Sequence, residues 1–167
     1  DGVINKKIPN DYVKHFDEFV FNDGVLEALK LLNSIFSTIV IVTNQQCIDK
    51  GLLTIEKLNV IHSKMLSIIN DNGGRIDKIY FAPQLKEKNS IYRKPNIGMA
   101  LHARKDFSNI TFKNSIIVGD SITDLKFGRK ANMKTVFIST DLNICREHDD
   151  LIDYNFPNLL SFVKSLI

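Results

Sequence analysis

Ser115-Ile116-Ile117-Val118-Gly119-Asp120-Ser121-Ile122-Thr123-Asp124 joins a strand to a helix, and its reading decides the fold. Ser115 to Val118 has the apolar, β-branched character of a short buried strand, and Gly119 lets the chain turn sharply with no Cβ in the way. Asp120 then stands at the strand's carboxyl end, where open α/β sheets place their ligands. Asp124 falls in the first turn of the following helix, where its charge suits the macrodipole. Together they form an acidic corner suited to a hard cation such as Mg²⁺. Taken alone, the segment also reads as a plain βα loop with a helix-capping Asp.

Working outward, strand and helix patterns alternate after residue 22, which predicts a parallel sheet covered on both faces. Asn22-Asp23-Gly24 opens a helix with apolar Val25, Leu26, Leu29 and Leu32. Thr38 to Thr43 reads as a β-branched strand. Thr54 is a candidate N-cap for a long helix whose apolar face runs Ile55, Leu58, Ile61, Met65, Ile68 and Ile69, and Asn72-Gly73-Gly74 ends it. Lys78 to Ala82 is the next strand, and Pro95 suits the first turn of a helix reaching about Lys105. A helix over 122–131 and a strand over 135–138 follow the opening segment. Residues 151–156 read as an edge strand, and Pro157 starts a last helix carrying Leu159, Leu160, Phe162, Val163 and Leu166. Residues 83–94 and 5–20 are the irregular stretches, and loops of that length in a compact domain are often functional.

The 167 residues suit one domain with a full core, and 44% hydrophobic with 25% charged residues is ordinary for a soluble protein. The net charge of +3 comes from scattered lysines, which suits a phosphorylated ligand without demanding nucleic acid. No run is long enough to cross a membrane, and no secretory leader is read. Cys47 and Cys145 make neither a metal-like spacing nor a disulfide framework, so a reducing cytoplasm is the expected compartment. Cys47 reads as a small apolar residue at a helix start rather than a reactive thiol. Cys145 falls in a polar C-terminal loop with no visible chemistry.

Four segments, Asp1-Gly2-Val3-Ile4-Asn5, Val42-Thr43-Asn44-Gln45, Arg93-Lys94-Pro95 and Gly119-Asp120 with Asp124, stand in order beside predicted strand ends. In this order they resemble the four motifs of the haloacid dehalogenase (HAD) phosphohydrolase superfamily, and the resemblance covers nearly the whole chain. Phe16-Asp17-Glu18-Phe19 leading to Asn22-Asp23-Gly24-Val25, Thr43-Asn44-Gln45 with Gly51 downstream, and Arg93-Lys94-Pro95-Asn96-Ile97-Gly98-Met99 narrow it. They resemble the histidinol-phosphatase and heptose-bisphosphate-phosphatase branch. The resemblance implies a three-layer αβα, Rossmann-like fold with a central, mostly parallel sheet and no large cap domain.

It also implies a chemistry. A carboxylate attacks phosphorus to give an aspartyl-phosphate, which water hydrolyses. A second carboxylate two residues later protonates the leaving oxygen and helps activate the water. Asp1 matches that second carboxylate. By the same resemblance Thr43, Asn44 and Lys94 act on the phosphate, and Asn5, Gln45, Lys50 and Arg93 face the substrate. Asp1, Asp120 and Asp124 form the metal site, with Asp120 the direct Mg²⁺ ligand and Asp124 acting through water or by orienting its neighbours.

Two departures stand out. The family nucleophile belongs two residues before Asp1, at the end of a central apolar strand. Loss of even ~400 Å² of burial there costs roughly 10 kcal/mol at ~25 cal/mol per Å², so an apolar strand ending in Asp-Xaa is expected ahead of Asp1. Relatives in this branch often hold a structural zinc in the long loop, but the matching positions are Ala82, Gln84, Ser90 and Tyr92. No zinc is expected. Gln46-Cys47 and Lys50 also depart from the branch pattern.

The expectation is a Mg²⁺-dependent phosphomonoesterase acting on a small phosphorylated metabolite. A sugar (heptose) bisphosphate leads, because Lys50, Lys86, Lys88 and Arg93 are available for a second phosphate. Histidinol phosphate and a polynucleotide 3′-phosphate are the alternatives. Against nucleic acid, no basic stripe interleaved with aromatics tracks a strand. A catalytically inactive phosphate-binding or regulatory protein of the same fold is the reading from another class. The oligomeric state is left open, with a monomer favoured, and no membrane contact is expected.

Overall fold

The computed structural model describes residues 1–167. Its helices are α1 (Val25–Ile35), α2 (Ile55–Asp71), α3 (Gly98–Asp106), α4 (Ile122–Lys130), α5 (Leu142–Glu147) and α6 (Leu159–Lys164). Its strands are β1 (Val40–Asn44), β2 (Lys78–Ala82), β3 (Ile116–Gly119), β4 (Lys134–Ile138) and β5 (Tyr154–Phe156). Every strand pair is parallel, as helical crossovers require. Thr54 caps α2 by accepting from the Lys57 amide, 3.3 Å. The helix ends where Gly73 takes φ +79° and Gly74 donates to the Ile69 carbonyl, 2.9 Å.

The sheet is divided. β1 pairs only with β2, whereas β3, β4 and β5 form a separate three-stranded sheet in that order. The inner edges of β1 and β3 therefore face a cavity of about 440 Å³. Ile41 and Val42 of β1 and Ile116 and Val118 of β3 line it, and side chains of α1, α2, α3, α4 and α6 close it from both faces. A buried cluster of Val25, Leu29, Met65, Val136, Phe162 and Val163 packs on one side, and Tyr80, Met99, Ala103 and Phe127 pack on another. The cavity thus has the surroundings of a central strand: apolar edges beside it and helices above and below.

Several expected boundaries move. α3 begins at Gly98, because Asn96 lies in a turn where its amide donates to the Arg93 carbonyl, 2.9 Å. β1 begins at Val40, since the Ile39 amide is taken by the Asp77 carboxylate, 2.7 Å. β3 begins at Ile116 and β4 at Lys134. Asn158, not Pro157, caps α6, and Leu166 falls beyond it. Residues 149–151 form a 3₁₀ turn ahead of the short β5. Cys145 lies in α5, a helix absent from the sequence reading, whose N-terminal amides at Asn143 and Ile144 are capped by Asp141.

His62, on the cavity side of α2, packs edge-on to Phe81 at 6.3 Å between ring centres. Burial pushes its imidazole down to about 4. A base whose folded value lies below its unfolded value of about 6.5 loses protein stability as pH falls from there toward 4, because the unfolded state takes the proton first. His62→Phe should flatten the acid limb of a urea-denaturation series between pH 6.5 and 4 relative to the parent chain. An unchanged slope would show that His62 does not set it.

Candidate active site

The carboxyl ends of β1 and β3 meet at one mouth of the cavity, and Asp1, Asn5, Thr43, Lys94, Asp120 and Asp124 all line it. Two glycines make the approach close. Gly2 takes φ +89°, and a Cβ there would fall on the Asp120 carboxylate. A Cβ on Gly119 would collide with the Asp124 side chain. The opening loop is fixed from below: Asn22 donates to the carbonyls of Gly2 (2.9 Å) and Val3 (3.1 Å), and Asn5 bridges to Phe21. Asn5 is 3% exposed, and its amide donates to Asp1 Oδ1 at 2.6 Å. It aims Asp1 rather than presenting itself to a ligand.

Lys94 is the best-determined group at the mouth. Its ammonium meets Asp124 Oδ1 at 2.6 Å and the Val42 carbonyl at 2.7 Å. Asn44 grips its backbone in both directions, accepting from the Lys94 amide at 3.0 Å and donating to its carbonyl at 3.1 Å. The amide of Asn44 is therefore spent on Lys94. Asp124 is 5% exposed, and its Oδ2 accepts from the Ser121 hydroxyl (2.6 Å) and amide (3.1 Å). Burial alone would raise this carboxyl, but the Lys94 charge and the Ser121 bonds hold it below the usual carboxylate range. Both Asp124 oxygens are committed, so in this arrangement it orients Lys94 and Ser121.

Around the rim, Gln45 turns inward. Its amide nitrogen donates to Thr43 Oγ1 at 3.1 Å, and its backbone amide goes to the Ala82 carbonyl at 2.7 Å. Arg93 spans from the Gln84 carbonyl (3.0 Å) to Gln46 Oε1 (3.1 Å). Lys50 reaches the Tyr12 hydroxyl at 2.9 Å. Lys88, by contrast, pairs with Asp49 at 2.7 Å, and that carboxylate also accepts from the Leu85 amide. Cys47 is fully buried, and burial pushes its thiol up, away from reactivity.

The same polar ties order the 83–94 loop. Tyr92 packs on His102 at 4.8 Å between ring centres, Asn96 donates to the Ser90 carbonyl at 3.1 Å, and Gly98 donates to the Ile91 carbonyl at 2.8 Å. Ala82 is buried in the core, Gln84 holds Arg93 through its carbonyl, and Ser90 accepts from the Tyr92 amide. Ile91 is exposed and contributes little packing.

Asp120 has the chemistry of a hard-cation ligand. It is a carboxylate at a strand end, cradled by a glycine, with a lysine ammonium (Lys7) already in contact with its Oδ2. The acidic groups do not close into a three-carboxylate cage, since Asp124 is engaged by Lys94. Mg²⁺ needs only one or two carboxylates with water and phosphate oxygens, so Asp120 fits it without a carboxylate cage. Lys7 escaped the sequence reading. Its only signal was a basic pair, Lys6-Lys7, directly after the first motif.

The polynucleotide kinase 3 phosphatase family matches residues 1–158 of this chain. A D-glycero-β-D-manno-heptose-1,7-bisphosphate 7-phosphatase of Pasteurella multocida is 33% identical, over 99% of this chain and 95% of that one. The chain belongs to the HAD phosphatases, in the heptose-bisphosphate branch. The Haemophilus influenzae enzyme of the same name is 32% identical over 99% and 92% of the two chains. A solved D,D-heptose 1,7-bisphosphate phosphatase from B. bronchiseptica, complexed with magnesium and phosphate, superposes with TM-score 0.87. It is 27% identical, over 99% of this chain and 93% of that one. No helix of the chain is long and apolar enough to cross a membrane.

Proposed function

We propose that this HAD phosphatase is a Mg²⁺-dependent, cytoplasmic phosphomonoesterase, a single hydrolase unit over residues 1–167, acting on a heptose bisphosphate. The observation that carries the reading is the meeting of Asp1, Asp120 and the Lys94–Asp124 pair at the carboxyl mouth of the cavity. The names and coverage of the relatives support the substrate class. We further propose that an apolar strand ending in Asp-Xaa directly precedes Asp1, runs parallel between β1 and β3, and delivers the nucleophile. The divided sheet supports this, because one added strand satisfies two unpaired inner edges and fills the cavity.

In this reading Asp120 would hold Mg²⁺, which when bound would offset repulsion between the attacking carboxylate and the phosphate. Lys94, fixed by Asp124, Val42 and Asn44, neutralises charge on the transferring oxygens. Thr43 offers its hydroxyl to the same oxygens. Asp1, aimed by Asn5, protonates the leaving oxygen and then takes a proton from the attacking water. Arg93 and Lys50, with Gln46 and Tyr12 between them, face the distal end of the sugar phosphate.

Two measurements test the proposal. Tandem mass spectrometry of the purified protein's N-terminus should find an apolar segment ending in Asp-Xaa before Asp1; its absence would leave a phosphate-binding protein without turnover. Steady-state rates on a phosphate-ester panel should rank a heptose bisphosphate above histidinol phosphate and a polynucleotide 3′-phosphate. A nucleic-acid end preferred over every sugar phosphate would reassign the substrate.

A further inference from the structure

Lys7 has no part in the roles above, yet its ammonium lies against Asp120 Oδ2. The two lysines at this mouth are held very differently. Lys94 is 12% exposed and tied by its ammonium and its backbone. Lys7 is 55% exposed, and its side chain is held only by its ion pair with Asp120, itself 16% exposed. The backbone beside it is anchored, since the Lys6 amide donates to the Val20 carbonyl at 2.8 Å. Its exposed stem therefore reaches the edge of the site from a fixed root.

We propose that Lys7 is a substrate-binding residue that rests on Asp120 until a divalent cation takes that carboxylate. The inference rests on the reading of Asp120 as the cation's ligand. Two cations on one carboxylate oxygen repel, so arrival of the metal expels the ammonium. The nearest favourable destination is an anionic oxygen of the phosphorylated substrate, whose charge offsets that of the displaced lysine. Metal and substrate then bind with positive coupling, each easing entry of the other by the same factor. Lys7 lowers affinity for metal alone and raises affinity for phosphate once metal is bound.

The test uses the full polypeptide with Lys7→Met, which keeps the apolar stem and removes the charge. Calorimetric titration with Mg²⁺ and no substrate should show binding about fivefold tighter than in the parent, the upper range for partly exposed pairs. Titration with inorganic phosphate at saturating Mg²⁺ should show binding about fivefold weaker, with Lys7→Arg restoring it. Local damage to the fold does not tighten a metal site, so the first change separates a direct role from a structural one. If Asp120→Asn loses Mg²⁺ binding while Lys7→Met leaves both affinities unchanged, the role of Lys7 is overturned and the metal site stands. If Asp120→Asn keeps full Mg²⁺ binding, both fall.

Discussion

Lys94→Ala should lower kcat/KM by about 2–4 kcal/mol of transition-state stabilisation, roughly 30- to 1,000-fold. Lys94 is the group whose position is most completely fixed, through Asp124, Val42 and Asn44. A preorganised charge of this kind costs nothing to reorganise as the phosphoryl group moves. The same change strands the buried Asp124 carboxylate, which breaks a buried pair at a cost of about 3–5 kcal/mol in stability. pH separates the two effects. In the parent, Asp124 sits below its unfolded value, so its contribution is present above about pH 4 and lost as pH falls through the lower folded value. In Lys94→Ala, only the Ser121 bonds oppose burial, so Asp124 takes up a proton at higher pH than in the parent and that contribution shrinks. Urea denaturation across pH, beside kcat/KM, reads both. An activity loss below threefold would remove Lys94 from the phosphate site.

Asp1→Asn should stop turnover while leaving phosphate binding in place. The substitution keeps the Oδ1 acceptor that Asn5 holds at 2.6 Å, so the side chain stays aimed. What it removes is a group that gives and takes a proton, and losses of general acid–base groups run to about 10²–10⁴-fold. Asp120→Asn makes the contrast, since its main effect should be a raised Mg²⁺ requirement rather than a stalled proton transfer. Single-turnover rates over a Mg²⁺ series distinguish the two. Small and equal effects from both variants would sink the division of roles.

The parallel α/β order was readable because β-branched runs such as Val40-Ile41-Val42 and Ile116-Ile117-Val118 are short and end in polar loops. α5 was not readable, because its stability comes from the Asp141 cap and its exposed Leu142 gives no apolar face. The start of α3 was misplaced because proline fits both a first helical turn and the turn before it. At the site, residue types announced the carboxylates and Lys94 but not their pairings. The use of Asn44 as a clamp depends on a contact fifty positions away, with Lys94, whereas Gln45 turns inward onto Thr43, two residues back, a side-chain choice that residue type does not announce. Lys88 was offered as a phosphate ligand, yet Asp49 engages it, a partner that local sequence does not reveal.

The reciprocal Asn44–Lys94 bond also separates what can change from what must stay. Arg93 answers to the loop, through Gln84 and Gln46, whereas its neighbour Lys94 answers to the strand. One peptide bond is thus the border between a residue held by the loop and a residue held by the sheet. A rearrangement of residues 83–93 would therefore cost the Arg93 contacts first, while the Lys94 ammonium stays where Val42 and Asn44 of β1 put it.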